Sequence, residues 1–359
     1  MTNLAPSDPA HPIIDPIDGH AITSTLAKAY GLTPLDVRRL PIGDATVNYR
    51  AVCAERTVFV KCYPPKTDLG AERRAIELSE IAGQVAVPVA RVLPSRAGEM
   101  LAPHGKLAVS VWDFIDGRTI ATGLNRAQLQ ATGAALGCLH RRFAILPASC
   151  GLASQTRAWL SVDLSEVART IDRLLSIIAA RAAPDDFDAA AARTLHERRV
   201  ALAHVPGLLA TVPPLTSQVL HGDYSVLNLL FSGDDLAAVI DFRPPDPFLI
   251  SYELGRIAFD PRAVALTPDW LEGACVVIDA YLAENPRVSP NDVAYAGRIW
   301  IVQLLTSLYG VKGHYLQPGL LQGDLDAFWL LRHRAAQVLW EQLADVEDAL
   351  RSYRPARSD

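Results

Sequence analysis

Three side chains in one short stretch have types and spacing that suit chemistry: Asp223, Asn228 five residues later and Asp241 thirteen beyond that, within VLHGDYSVLNLLFSGDDLAAVIDF (219–242). The apolar residues before His221 and after Asn228 predict two short strands flanking a loop, which sets Asp223 and Asn228 across a tight turn. The strand LAAVID then brings Asp241 to the same neighbourhood. An amide oxygen and a carboxylate suit a hard cation such as Mg2+, which keeps waters and takes its remaining ligands from phosphates. Asp223 is left to position or deprotonate a hydroxyl. Phosphoryl transfer requires this division of labour, because positioning and charge neutralisation supply most of its catalysis. Taken singly, such residues are turn formers, as Asp234 and Asp235 are read here. The joint pattern carries the chemistry. His221, beside Gly222, is read as bracing the loop by backbone hydrogen bonds and not as a reacting group.

A phosphoryl donor needs a second set of contacts. Lys61 closes the strand-like V-F-V-K and is one of five lysines among 34 basic residues, so it is not one of many solubilising lysines. It suits the α and β phosphates as a point charge, held by a carboxylate on the following helix. Glu72 is the expected partner, since Glu72 and Ile76 lie one turn apart and that helix must turn one face to the sheet. Glu77 is the second choice.

The elements that must position these residues change character along the chain. AITSTLAKAYG reads as a short helix closed by Gly31; NYRAVC and TVFVKC form a hairpin, LAVSVWDF another strand, and AERRAIELSEIAG a helix stopped at Gly83. From NRAQLQATGAALGCLHRRF onward the pattern is helical, apart from short strands around the opening stretch. The fold class is therefore α+β in two lobes: a flexible tail over 1–20, a small antiparallel lobe of about five strands over 21–116 that ends in a hinge over 113–117, and a mainly helical lobe over 117–359.

Composition narrows the partners. A net charge of -5 gives no basic footprint for nucleic acid, which leaves small molecules. The cysteines at 53, 62, 138, 150 and 275 form no C-x-x-C pair and no cluster with histidine, so they read as reduced thiols of a cytoplasmic protein. The apolar stretch at 299–311 is too short to cross a bilayer and reads as one buried helix, and the first twenty residues lack a secretory pattern. A monomer or homodimer is expected.

HGDYSVLN, VIDF and FVK, in this order and spacing, resemble the aminoglycoside phosphotransferase and homoserine kinase-like (choline kinase-like) superfamily from about Ala21 to about Arg351. The resemblance implies a protein kinase-like bilobal fold, ATP as donor, Mg2+ as cofactor and a small hydroxyl-bearing acceptor. It implies Asp223 as the catalytic residue, Asn228 and Asp241 as metal ligands, Lys61 and Glu72 on the nucleotide, and Asp113, Phe114 and Ile115 as the hinge whose backbone reads adenine. LPIGDATVNYRAV resembles the covering hairpin, although with one glycine in its loop. Tyr224 and Ser225 replace the frequent Leu-His of the catalytic loop, Glu253 in SYELGR replaces the Asp of Asp-Leu-Ala as a buried brace, and Arg243 faces phosphate or an acid such as Asp246. The acceptor is an antibiotic, amino alcohol, sugar or homoserine; Asp185, Asp186 and Asp188 read either as an attractor of cations or as a helix start, and Trp300, Tyr309, His314 and Tyr315 as acceptor pocket or core. A noncatalytic nucleotide-binding protein and a metal-dependent phosphohydrolase, with His221, Asp223 and Asp241 on metal, are the alternatives.

Overall fold

The computed structural model describes residues 19–41, 46–85, 87–105, 107–147, 156, 159–243, 247–319 and 321–352. Most of the expected tail, the centre of the covering loop, Cys150 and Asp246 lie outside the described residues. The described residues form two units: a strand-rich one of residues 19–119 and 228–243, and a helical one of residues 120–227 and 247–352.

In the strand-rich unit, helix α1 (Gly19–Thr25) continues through a wide turn, Leu26–Tyr30, to Gly31, whose φ of 69° is the left-handed conformation that closes a helix. Strands β1 (Pro34–Leu40), β2 (Val47–Cys53), β3 (Thr57–Tyr63), β4 (Val92–Leu93), β5 (Ala102–His104) and β6 (Leu107–Asp113) make an antiparallel sheet in the order β1-β2-β3-β6-β4, with β5 also on β6. Helix α2 (Leu69–Gly83) starts at the Asp68 cap, whose carboxylate accepts from the Ala71 N–H at 3.0 Å. The period of two in β3 sends Val58, Val60 and Cys62 into the core shared with Ile22 and Leu26 of the first helical segment, and sends Tyr63 to the other face, against Ile76 of α2. Lys61 has the parity of Tyr63 and so falls on the α2 face. The sheet exceeds the expected five strands by one: β1, PLDVRRL, carries too many charges to alternate cleanly and is an edge strand, where such residues are at home. The hairpin Leu229–Ser232 with Asp235–Val239 also belongs to this unit, although the sequence had placed it in the helical lobe. Backbone pairing accounts for the difference, since Val239 N–H donates to Pro88 O at 2.8 Å, and Phe231 and Arg118 exchange hydrogen bonds of 2.9 and 3.0 Å.

The helical unit contains α3 (Arg126–Phe143), α4 (Leu164–Ala179), α5 (Asp186–Ala201), α6 (Val205–Ala210), α7 (Ile250–Ala258), α8 (Pro261–Leu266), α9 (Trp270–Glu284), α10 (Pro290–Ala294), α11 (Ala296–Thr306), α12 (Val311–Leu316), α13 (Gln322–Glu341) and α14 (Leu343–Arg351). Asn125 and Gln128 form a reciprocal capping box at the start of α3. The apolar run at 299–311 is not one helix: α11 stops at Thr306, and Gly310, at φ 97°, turns the chain into α12. No described helix is long and apolar enough to cross a membrane.

Two glycines set the closest helix approach in this unit. A Cβ on Gly133 would lie 2.0 Å from the Val277 carbonyl oxygen, and one on Gly137, a turn later, 2.5 Å from that of Tyr281. The matching four-residue steps let the α3 backbone seat against α9 along one ridge. Gly133→Ala forces the helices apart, and chemical denaturation is expected to show a loss of about 1–3 kcal/mol or more; an unchanged midpoint contradicts the packing.

Candidate active site

The loop that carries Asp223 is organised by a carboxylate from elsewhere in the helical unit. Glu253, in the first turn of α7 and 1% exposed, accepts from the His221 N–H at 3.0 Å and the Gly222 N–H at 2.7 Å, and meets His140 Nε2 at 3.0 Å. His140 Nδ1 lies 3.0 Å from the Tyr281 hydroxyl, which itself receives an N–H from Asn285. A carboxylate can only accept, so the His140 Nε2–H donates to Glu253. Burial works against the Glu253 carboxylate, but the hydrogen bond and charge of His140, with the further pull of His221 and the Gly222 N–H, hold its pKa below the ordinary glutamate range. The expected buried brace is thus present. Gly222 takes φ 85°, and the Asp223 N–H donates back to His221 Nδ1 at 3.2 Å, the bracing role read for that histidine. His221 is fully buried.

Asp223 forms an ion pair with Arg256, whose pKa is raised: burial opposes the guanidinium charge, and Asp223 outweighs it. Sequence reading missed this arginine. The available signal was its spacing: Arg256 lies three residues after Glu253, on the same helix face, so a carboxylate bound to the loop brings the arginine with it. Tyr224 is fully buried and donates to the Thr132 carbonyl at 2.8 Å, so it is part of the core. The strand expected before His221 shrinks to Ser217–Gln218, and Val226–Asn228 is a 3-10 turn. The strand pair expected to flank the loop therefore does not form, and Glu253 takes the loop N–H groups that a strand ladder would need.

In the strand-rich unit, Asn228 stands at the base of the hairpin, its carbonyl accepting the Ile240 N–H at 3.0 Å, and Asp241 follows directly. Asp241 is the non-glycine residue with positive φ, 61°, among those described. Aspartate tolerates that conformation better than most side chains, and such strain is characteristic of sites where a side chain must be aimed. Its carboxylate, half exposed, meets Lys61 Nζ at 2.6 Å. Burial opposes the ammonium charge, yet Asp241 outweighs it and raises the Lys61 pKa.

The expected Lys61–Glu72 ion pair is not what forms. Asp241 takes the ammonium, while Glu72 interacts with Lys61 and with Arg243 at longer range. Burial raises its pKa in spite of those contacts. At the hinge, the Asp113 N–H donates to Arg91 O at 2.8 Å and the Phe114 N–H to Thr57 O at 3.3 Å, which leaves the Ile115 N–H as the available donor of the three. Asp185 and Asp188 cap α5 reciprocally, and Asp188 also accepts from Arg181 and Tyr315, so the acidic cluster is a helix start. Trp300 is core, while Tyr309 is 43% exposed.

The Glu253 network has a pH signature. A folded-state pKa below the unfolded one contributes stability that is complete above the unfolded value and is lost as pH falls through the folded one. Acid titration of unfolding is therefore expected to show Glu253→Gln about 3 kcal/mol less stable at neutral pH, with the difference shrinking toward strongly acidic pH; a constant difference contradicts the depressed pKa.

Residues 36–290 match the model of the phosphotransferase enzyme family. Solved structures with the same fold include spectinomycin phosphotransferase APH(9)-Ia with ADP and spectinomycin (13% identity, 91% of this chain and 98% of that one, TM-score 0.66). They also include amicoumacin kinase hAmiN with AMP-PNP and Ca2+ (13%, 89% and 94%, 0.61) and a Plasmodium vivax ethanolamine kinase (13%, 84% and 81%, 0.52). No curated protein matches the sequence. The antiparallel sheet and the helical unit are those of the kinase-like fold, and the family match covers well over half of the sequence: this chain belongs to the phosphotransferase enzyme family.

Proposed function

We propose that this protein is an ATP-dependent kinase of a small-molecule hydroxyl. The observation that carries the reading is the Lys61–Asp241 ion pair at 2.6 Å, made by an aspartate held in left-handed backbone directly after the hairpin that Asn228 opens. Support for the donor comes from two of the related structures, one solved with ADP and one with AMP-PNP.

The donor set fits a Mg2+ ion. Among the described residues no group of three or more His, Cys, Asp or Glu forms a protein-only metal cage, but one carboxylate and one amide suffice for an ion that keeps waters and phosphate oxygens as its other ligands. Asp241 and Asn228 would hold it, and it would neutralise charge on the β and γ phosphates. Lys61 is held by Asp241 at the position from which it passes to phosphate oxygens, and the Ile115 N–H reads the adenine edge.

Asp223 accepts the hydrogen bond of the acceptor hydroxyl and fixes its oxygen for attack. The new P–O bond forms as the bond to the ADP oxygen breaks, and the hydroxyl proton passes to the carboxylate. Pairing with Arg256 holds the Asp223 carboxylate in one orientation, which suits a reaction whose loose transition state needs orientation more than early deprotonation.

Release of ADP in the presence of hydroxyl compounds, above a no-acceptor control, tests the activity. Asp223→Asn is expected to keep near-normal Mg-ATP affinity by calorimetry while turnover falls by roughly two orders of magnitude or more. Asp241→Ala is expected to lose metal-dependent nucleotide binding together with activity. Equal losses of nucleotide affinity in both variants, or full activity in Asp223→Asn, contradict these roles.

A further inference from the structure

Two arginines of the helical unit lack a hydrogen-bonded anion, and one of them is within electrostatic reach of Arg256, the partner of Asp223. Arg198 of α5 is 1% exposed and Arg332 of α13 is 5% exposed. All three guanidinium nitrogens of Arg198, and Nε and Nη2 of Arg332, are buried with no hydrogen-bond partner. No carboxylate hydrogen-bonds either of them, although Asp260 acts on Arg332 at longer range. Arg256 is answered by Asp223, Arg262 by Asp260 at 3.7 Å, and Glu197 is taken by His333 at 2.7 Å. Arg198 lies over the Trp329 ring at 4.8 Å, and Arg332 is 5.8 Å from the centroid of Phe328.

The two cations also repel each other. Burial, with the nearby charge of Arg332, pushes Arg198 down to about 9, and burial pushes Arg332 down to about 10 despite Tyr252, so both stay charged at neutral pH. Arg332 also feels Arg256, the partner of Asp223, Tyr309, which is partly open to solvent, and, as a smaller contribution, Asp260, which already pairs with Arg262. A desolvated guanidinium without a counter-ion is costly, and two within electrostatic reach cost more. Nε and Nη2 are one edge of the guanidinium fork, the edge that receives two oxygens of a carboxylate or phosphate side by side. The acids that would instead draw a cationic acceptor, Asp185 and Asp188, are consumed in capping α5 and in binding Arg181 and Tyr315.

We propose that the acceptor alcohol carries an anionic group, a carboxylate or a phosphate, and that Arg332, backed by Arg198, receives it beside the Asp223–Arg256 pair. This deepens the kinase reading and rests on it. The hydroxyl then lies at Asp223 because the anion anchors the other end of the molecule, and cationic amino alcohols meet like charge.

The test uses the full chain with Mg-ATP and four compounds on one three-carbon frame: glycerate, glycerol 3-phosphate, neutral glycerol and cationic 3-amino-1,2-propanediol. The anionic compounds are expected to give kcat/KM about ten-fold or more above the other two, and Arg332→Met to remove that preference mainly through KM. The glycerate and glycerol 3-phosphate arms separate carboxylate from phosphate. Inorganic phosphate and citrate provide a readout independent of turnover: each is expected to raise the unfolding midpoint of the wild type, and neither to raise that of Arg332→Met or Arg198→Met as much. Turnover favouring the cationic or neutral compound overturns the assignment. So do equal midpoint shifts in wild type and variants, which would mark the arginines as buried structural charges. Anion-dependent stabilisation without turnover of any compound supports the arginine site and counts against the kinase reading.

Discussion

A single buried carboxylate fixes the part of the molecule on which the proposed chemistry depends. Glu253 collects the N–H groups of His221 and Gly222 and the Nε2–H of His140, three donors around one charge. A carboxylate with three good N–H partners keeps its charge in an interior that would otherwise neutralise it. The loop is thereby tied to α7, and because Arg256 is one turn further along the same helix, the residue that binds the loop also brings the cation that holds Asp223. Support reaches further back through Tyr281 and Asn285 on the α9 side and His140 on α3. The glycine-mediated approach of α3 to α9 is what brings His140 and Tyr281 within hydrogen-bond distance, so a packing feature and a polar network serve the same loop.

The strand-rich unit solves a different problem. Here nothing comparable to Glu253 is needed, since Asp241 is aimed by its own left-handed backbone and by the hairpin before it. Lys61 is aimed by the alternation of β3, which puts it on the face opposite Val58, Val60 and Cys62. The resulting ion pair joins two residues 180 positions apart in sequence but in one unit. A flexible, charged side chain with a partner already in place loses less freedom when a phosphate replaces that partner.

What could be read from the sequence follows the range of the interactions involved. The hairpin of β2 and β3, α2 and α3 are set by local pattern, turn chemistry and caps, and each stands where the pattern put it. Glu253 was legible as a brace because its position within SYELGR implied it. The partner of Lys61 was not: Glu72 and Asp241 are both carboxylates within range of the same ammonium, and only three-dimensional placement separates them. Arg198 and Arg332 gave no signal at all, because a helical arginine reads as a surface residue unless its neighbours are known. The edge strand β1 was hidden by its charges, and the break between α11 and α12 by an apolar run that continues through it.

The claim that Glu253 holds the Asp223 loop is tested most directly by amide hydrogen exchange at His221 and Gly222. In the native protein both amides are expected to be strongly protected, although neither belongs to a helix or a strand. In Glu253→Gln, which keeps the shape but offers a single neutral acceptor, their exchange is expected to speed up by about ten- to a hundred-fold beyond any change in global stability, the scale of a hydrogen bond to a charged group. Unchanged relative protection of both amides would contradict the account.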